Sequence, residues 1–125
     1  MGQSWHIKHD KKQLFSAKEE DEVNNSIVLS TADFKEKGCY TISYVEGITS
    51  AQKIKWIRTI AIYDEKDNEL YKKPSASVKI PGAGLQKMLA NSKTIKIYTW
   101  ALPKDPAEAA RIRIRRVHLC TIVLR

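Results

Sequence analysis

The stretch Arg111-Ile112-Arg113-Ile114-Arg115-Arg116-Val117-His118-Leu119-Cys120-Thr121-Ile122-Val123-Leu124-Arg125 decides the fold class. Its first half alternates arginine with isoleucine, the period-two pattern of a strand with one charged and one apolar face. Its second half is almost continuously apolar and β-branched, as a strand covered on both sides would be. Together they predict a last strand that runs through the middle of the core. Fifteen residues at about 3.3 Å each would span roughly 50 Å, too long for one straight strand in so small a domain. A β-bulge or bend is therefore expected at Arg115-Arg116, where the alternation breaks.

Outward from this stretch, strand signals dominate. Residues 4–8 predict a short first strand with Trp5 and Ile7 on one face. The charged segment 9–25, with the acidic run Glu19-Glu20-Asp21-Glu22, reads as a loop with room for a short strand or helical turn near Leu14. Further strands are expected at Ser26–Thr31, Cys39–Val45, Lys53–Tyr63, Glu69–Lys73, Ser77–Ile80 and Thr94–Leu102. Gly38 follows a charged turn and is free to take a positive φ. Asp64-Glu65-Lys66-Asp67-Asn68 has the composition of a hairpin turn. In the Lys53–Tyr63 strand, Ile54, Trp56, Ile60 and Ile62 share a face predicted to be core, with Arg58 as the exception that flags a bulge.

Two brief helices are also expected. Leu85, Met88 and Leu89 fall at helical spacing, which predicts a helix over 84–90 with Asn91 as its stop. Asp105-Pro106-Ala107-Glu108 has an N-cap aspartate, proline at the first helical position and glutamate at the third, for a turn lasting to about Ala110. The sum is an all-β chain, a single β-sandwich or jelly-roll domain with one or two short helical turns. It spans residues 1–125, with 1–25 as an N-terminal strand plus charged loop and 26–125 as the main sandwich.

With 42% hydrophobic and 29% charged residues the composition is that of a globular protein. No apolar run reaches the length of a membrane-spanning helix, and no secretory signal is visible in the first residues. The net charge of +8 is uneven: residues 1–50 carry −2 and residues 51–125 carry +10. Such asymmetry marks either the solvated faces of strands or a surface for an anionic partner. Cys39 and Cys120 are expected as two buried thiols, with one disulfide as the alternative.

Motifs for chemistry are sparse. Gly82-Ala83-Gly84 lacks the lysine and hydroxyl residue of a phosphate loop. His6-x-x-His9-Asp10 brings donors near each other but lacks the further partners a metal site needs, His118 reads as a packed strand residue, and the acids around Asp64–Glu69 match no calcium loop. No catalytic residue, metal or other cofactor is expected. The aromatic residues are more informative. Tyr98 and Trp100 share a strand face with Lys96, opposite Ile95 and Ile97, so alternation exposes them as flat platforms on which sugar rings stack. Core or second-layer packing of the two rings is the weightier expectation, and the ligand platform stands second to it. Arg111, Arg113 and Arg115 share the other candidate surface, a basic strand face. They can meet an acidic protein, and nucleic acid is not the expected partner because no recognition module is visible.

The segment Phe34-Lys35-Glu36-Lys37-Gly38-Cys39-Tyr40-Thr41-Ile42-Ser43-Tyr44-Val45-Glu46-Gly47, followed by Gln52 to Leu70, adds a resemblance. Its strand, polar loop, strand and Lys-Asp-Asn-Glu hairpin resemble the galactose-binding-like jelly-roll accessory domains of bacterial, Bacteroides-type, glycoside hydrolases. The similarity covers roughly residues 30–75. It implies a jelly-roll fold and a carbohydrate-associated, often non-catalytic role, and it carries over no individual sugar-binding residue. The expected function is thus a non-catalytic binding module, first for carbohydrate and alternatively for an acidic protein surface.

Overall fold

The computed structural model describes residues 3–35, 38–46 and 56–125. Their strands are β1 (Ser4–His9), β2 (Lys12–Ala17), β3 (Ser26–Leu29), β4 (Cys39–Val45), β5 (Trp56–Asp64), β6 (Glu69–Lys73), β7 (Ser77–Pro81), β8 (Thr94–Pro103) and β9 (Val117–Leu124). A 3₁₀ turn (Thr31–Lys35) follows β3, α1 (Gly82–Ser92) follows β7, and α2 (Pro106–Ala109) follows β8. The strands form two sheets, one ordered β2-β1-β4-β7 and the other β3-β9-β8-β5-β6. The chain changes sheets after β2, β3, β4, β6 and β7, so each sheet is complete only when distant segments meet. This is the all-β sandwich expected from the sequence.

One core joins the two sheets. Trp5, Ile7, Tyr40, Ile42, Val78 and Ile80 come from the four-stranded sheet; Ile60, Ile62, Ile95, Ile97, Leu119 and Ile122 meet them from the five-stranded one. The Trp5 indole N–H donates to the Leu119 carbonyl at 2.9 Å, which satisfies the one polar atom of a ring that is otherwise core. Leu85 and Leu89 of α1, both fully buried, extend this core beyond the strands.

β9 behaves as its apolar half predicts. It pairs antiparallel with β8 and parallel with β3, so it is an interior strand. A bulge interrupts the β8 ladder, where Ile97 faces Cys120 but Tyr98 faces His118. Leu119 stands between those pairs, which explains three consecutive buried residues, His118, Leu119 and Cys120, in a strand.

The arginine half corrects the expectation. Residues 111–116 belong to no strand; the ladder to β8 ends at the Thr99–Val117 pair. Their alternation has no buried face to serve, since Ile112 is half-buried and Ile114 is 51% exposed. The expected bend at Arg115-Arg116 instead falls outside any strand, just before β9 begins at Val117. Bulges lie at Ile7/Lys8, Ile62/Tyr63 and Ile97/Tyr98, and none lies at Arg58.

Other local rules hold. Gly38 has φ +146°, and an added Cβ would sit 2.3 Å from the Asp10 carboxylate. Asp105 accepts from the Ala107 N–H at 2.9 Å and so caps α2. Segment 9–25 does contain a strand near Leu14, namely β2. α1 is longer than expected and stops at Lys93, which adopts the left-handed conformation in place of Asn91. Trp56, expected in the core, is 38% exposed at the end of β5; Ile54 lies outside the described residues. Both cysteines are free, Cys120 buried and Cys39 half-buried. Burial pushes the Cys120 thiol up to about 12.

Candidate binding face on the five-stranded sheet

Directly opposed residues on neighbouring antiparallel strands share a face, so register defines the outer surface of the five-stranded sheet. Between β5 and β8 it pairs Ile57 with Leu102, Thr59 with Trp100, Ala61 with Tyr98 and Tyr63 with Lys96. β9 continues the rows, Thr121 beside Lys96 and His118 beside Tyr98. Lys96, Tyr98 and Trp100 therefore do lie on one face, as their alternation predicts. Their exposure differs: Trp100 and Lys96 are half-buried, whereas Tyr98 is 8% exposed.

Arg116 explains the burial of Tyr98. Its guanidinium carbon lies 4.4 Å from the Tyr98 ring centroid and 4.8 Å from that of Tyr63, and Nη1 donates to Asp67 Oδ1 at 3.0 Å. The two tyrosine rings meet edge-on at 5.7 Å, and Tyr98 meets His118 edge-on at 5.6 Å. A cation over two electron-rich faces is attractive, and Asp67 from the β5–β6 turn fixes its position. Burial, opposed in part by Arg116, raises the Tyr98 phenol pKa.

His118 closes the cluster from below. Its ring is fully buried, Nε2 lies 2.8 Å from Thr121 Oγ1, and Nδ1 is buried without a hydrogen-bond partner among the described residues. Burial is the main cause lowering its pKa, so the imidazole is neutral at pH 7. The backbone N–H of His118 donates to Glu20 Oε2 at 2.8 Å, while Glu20 Oε1 accepts from Arg115. Burial alone would raise the Glu20 carboxyl; these two donors outweigh it and hold its pKa low.

The three arginines of the basic-face reading thus separate. Arg115 is engaged by the chain's own acidic run through Glu20. Arg111 lies 3.9 Å from Glu108 one helical turn away. Arg113 is exposed, and no ion pair includes it among the described residues. They do not form one strand face. Sequence reasoning missed Arg116, Tyr63 and Asp67, although the broken alternation at Arg115-Arg116 marked the place. No group of three or more His, Cys, Asp or Glu side chains able to hold a metal exists among the described residues. No described helix is long and apolar enough to cross a membrane.

No family model matches this chain, and neither curated proteins nor solved structures show a significant match to it.

Proposed function

We propose that this protein is a non-catalytic binding module whose contact surface is the outer face of the five-stranded sheet, with carbohydrate as its ligand class. The observation that carries the reading is the half-buried Trp100 on the central strand β8, flanked by the arginine-capped Tyr63–Tyr98 pair. A rigid indole anchored in a sheet offers a flat apolar surface for the C–H face of a sugar ring, and it needs little ordering on binding. Arg116, Lys96 and Asp67 supply donors and an acceptor for hydroxyls along the same surface. The resemblance of residues 34–70 to carbohydrate-associated jelly-roll domains supports the same class.

The test is a glycan array read with the wild-type chain and with Trp100→Ala. Signal on neutral glycans that disappears in the variant supports the proposal; silence across neutral and acidic glycans defeats it.

A second reading, contact with an acidic protein, draws on Arg113, exposed and in no ion pair among the described residues. Its charge-driven form is weakened by Arg115 and Arg116, both already neutralised internally. It requires binding that falls steeply with added salt and is lost in Arg113→Ala.

A further inference from the structure

Six arginines occur in this chain, and four of them fall within residues 111–116. The other two are tied into the sheets. Arg58 lies inside the β5–β8 ladder opposite Ala101, with its guanidinium held by Glu46. Arg125 donates its N–H to the Leu29 carbonyl at 2.9 Å, where the β3–β9 ladder ends.

The 111–116 segment is built differently. Arg111, Arg113, Ile114, Arg115 and Arg116 are exposed, and Ile112 is half-buried. The N–H groups of Arg111 and Ile112 donate to the carbonyls of Glu108 and Ala109 at 3.1 and 3.3 Å, the last bonds of α2. Residues 113–116 belong to no helix or strand, and no backbone–backbone hydrogen bond among the described residues involves them. α2 itself buries no residue, so the chain before Arg113 gives way at little cost. On the other side β9 is firmly seated: it pairs with both β3 and β8, and His118, Leu119, Cys120 and Ile122 are buried. A bare basic stretch thus stands directly beside a strand held on both edges.

A protease binds its substrate as an extended segment whose N–H and C=O groups pair with the cleft, much as a strand adds to a sheet. Residues 113–116 offer those groups unpaired, and a primary pocket that carries a carboxylate selects arginine. Among the four arginines, Arg115 is engaged by Glu20, and Arg116 by Asp67 and two tyrosine rings. Arg111 lies in the tail of α2 beside Glu108. Arg113 is exposed and in no ion pair among the described residues. We infer that the Arg113–Ile114 bond is a site of limited proteolysis by an arginine-directed protease, and that the cleaved chain stays assembled through β9. Water is the co-reactant: its oxygen ends in the new Arg113 carboxylate and both its protons on the Ile114 nitrogen, which becomes an ammonium. Both new charges arise in solvent, so the cut buries neither. Residues 114–125 remain seated between β3 and β8 without a covalent tie. They carry Arg116 and His118, so cleavage makes the tyrosine cluster of the outer face depend on a removable strand. No ligand on that face is needed, and the inference is independent of the carbohydrate reading.

The experiment is a time course with a small amount of an arginine-specific protease on the native protein, read by intact mass. A urea-unfolded sample treated in parallel, after dilution, is the control for protease activity. The expected first products are residues 1–113 and 114–125, which elute together from a size-exclusion column in native buffer and separately in urea. Arg113→Gln changes an exposed position and should slow loss of the intact chain roughly fivefold or more, since a pocket built for a guanidinium rejects an amide. The inference is overturned by a native chain that stays intact while the unfolded control is digested, by a first cut after any other arginine, or by fragments that part without denaturant. An unchanged rate in Arg113→Gln overturns it too, because the protease then enters the chain elsewhere.

Discussion

Two arginines of this protein lie over tyrosine rings, and the contrast between them separates what holds the sandwich together from what covers it. Arg58 sits on the inner face of β5, the face of Ile60 and Ile62. Its guanidinium carbon is 4.2 Å from the Tyr44 ring centroid, so it bridges from one sheet to the other. Glu46 grips it through Nε and Nη2 at 2.8 and 3.0 Å, and Nη1 reaches Thr99 Oγ1 at 3.4 Å. Its side chain is 15% exposed. Arg116 lies on the outer face, 37% exposed, and holds Asp67 through one nitrogen. The chemistry is the same and the setting differs. A two-pronged, shielded pair between sheets is structural, whereas a single-pronged pair in solvent is a cover that side-chain rotation removes.

The largest effect should come from breaking the inner pair. Arg58→Ala removes the stack on Tyr44 and strips Glu46 and Thr99 of a partner, for a loss of about 2 kcal/mol in urea unfolding. Arg116→Ala should cost less, about 0.5–1 kcal/mol, but should uncover Tyr98. Tyrosine nitration mapped by mass spectrometry should therefore increase at Tyr98 in Arg116→Ala and not in Arg58→Ala. Equal destabilisation by the two substitutions would erase the distinction between a structural pair and a cover.

Acid sharpens the same contrast because His118 underlies only the outer cluster. Its folded pKa is lowered by burial, so the unfolded chain binds a proton more readily below the ordinary value of about 6.5. Stability attributable to His118 is complete above that pH and declines as pH falls beneath it, toward the lower folded pKa. Thermal midpoints should drop from pH 7 to pH 5, and His118→Gln should flatten this window. A second acid-dependent loss, below the ordinary Glu range, belongs to Glu20, whose folded pKa is also lowered. The smallest effect is expected at Ile114, which is 51% exposed: Ile114→Asp should change stability by less than about 0.5 kcal/mol.

Local chemistry was readable from the sequence where it needed no distant partner. The Asp105-Pro106 helix start, the strand Cys39–Val45 and the Asp64–Asn68 turn follow from capping, alternation and Asx hydrogen bonding alone. In that turn Asp64 Oδ1 accepts from the Lys66 and Asn68 N–H groups, which lowers its pKa. The Arg-Ile alternation misled because period two forms a strand only where a ladder and a buried face receive it, and β8 offers neither beyond Thr99. For Tyr98 the face was legible and packing was the weightier expectation, but what covers the ring was not legible. Alternation fixes the side of a sheet on which a ring lies, but not that an arginine eighteen positions later in the chain will lie upon it. The role of Arg58 escaped for a related reason, since a charge on a core-facing position reads as the flag of a bulge until Tyr44 and Glu46 are seen around it.

The parallel pairing of β3 with β9 governs how the protein must be made. β9 is synthesised after the other described strands, yet it is the strand that joins β3 to the rest of its sheet and supplies the carbonyl for Trp5, 114 positions earlier. Until Val117–Leu124 emerges from the ribosome, β8 and β3 both present raw edges and the tryptophan lacks its acceptor. The nascent sandwich is then exposed to mispairing for as long as β9 is missing. A chaperone that shields strand edges would act on this sandwich before β9 slides between its two neighbours.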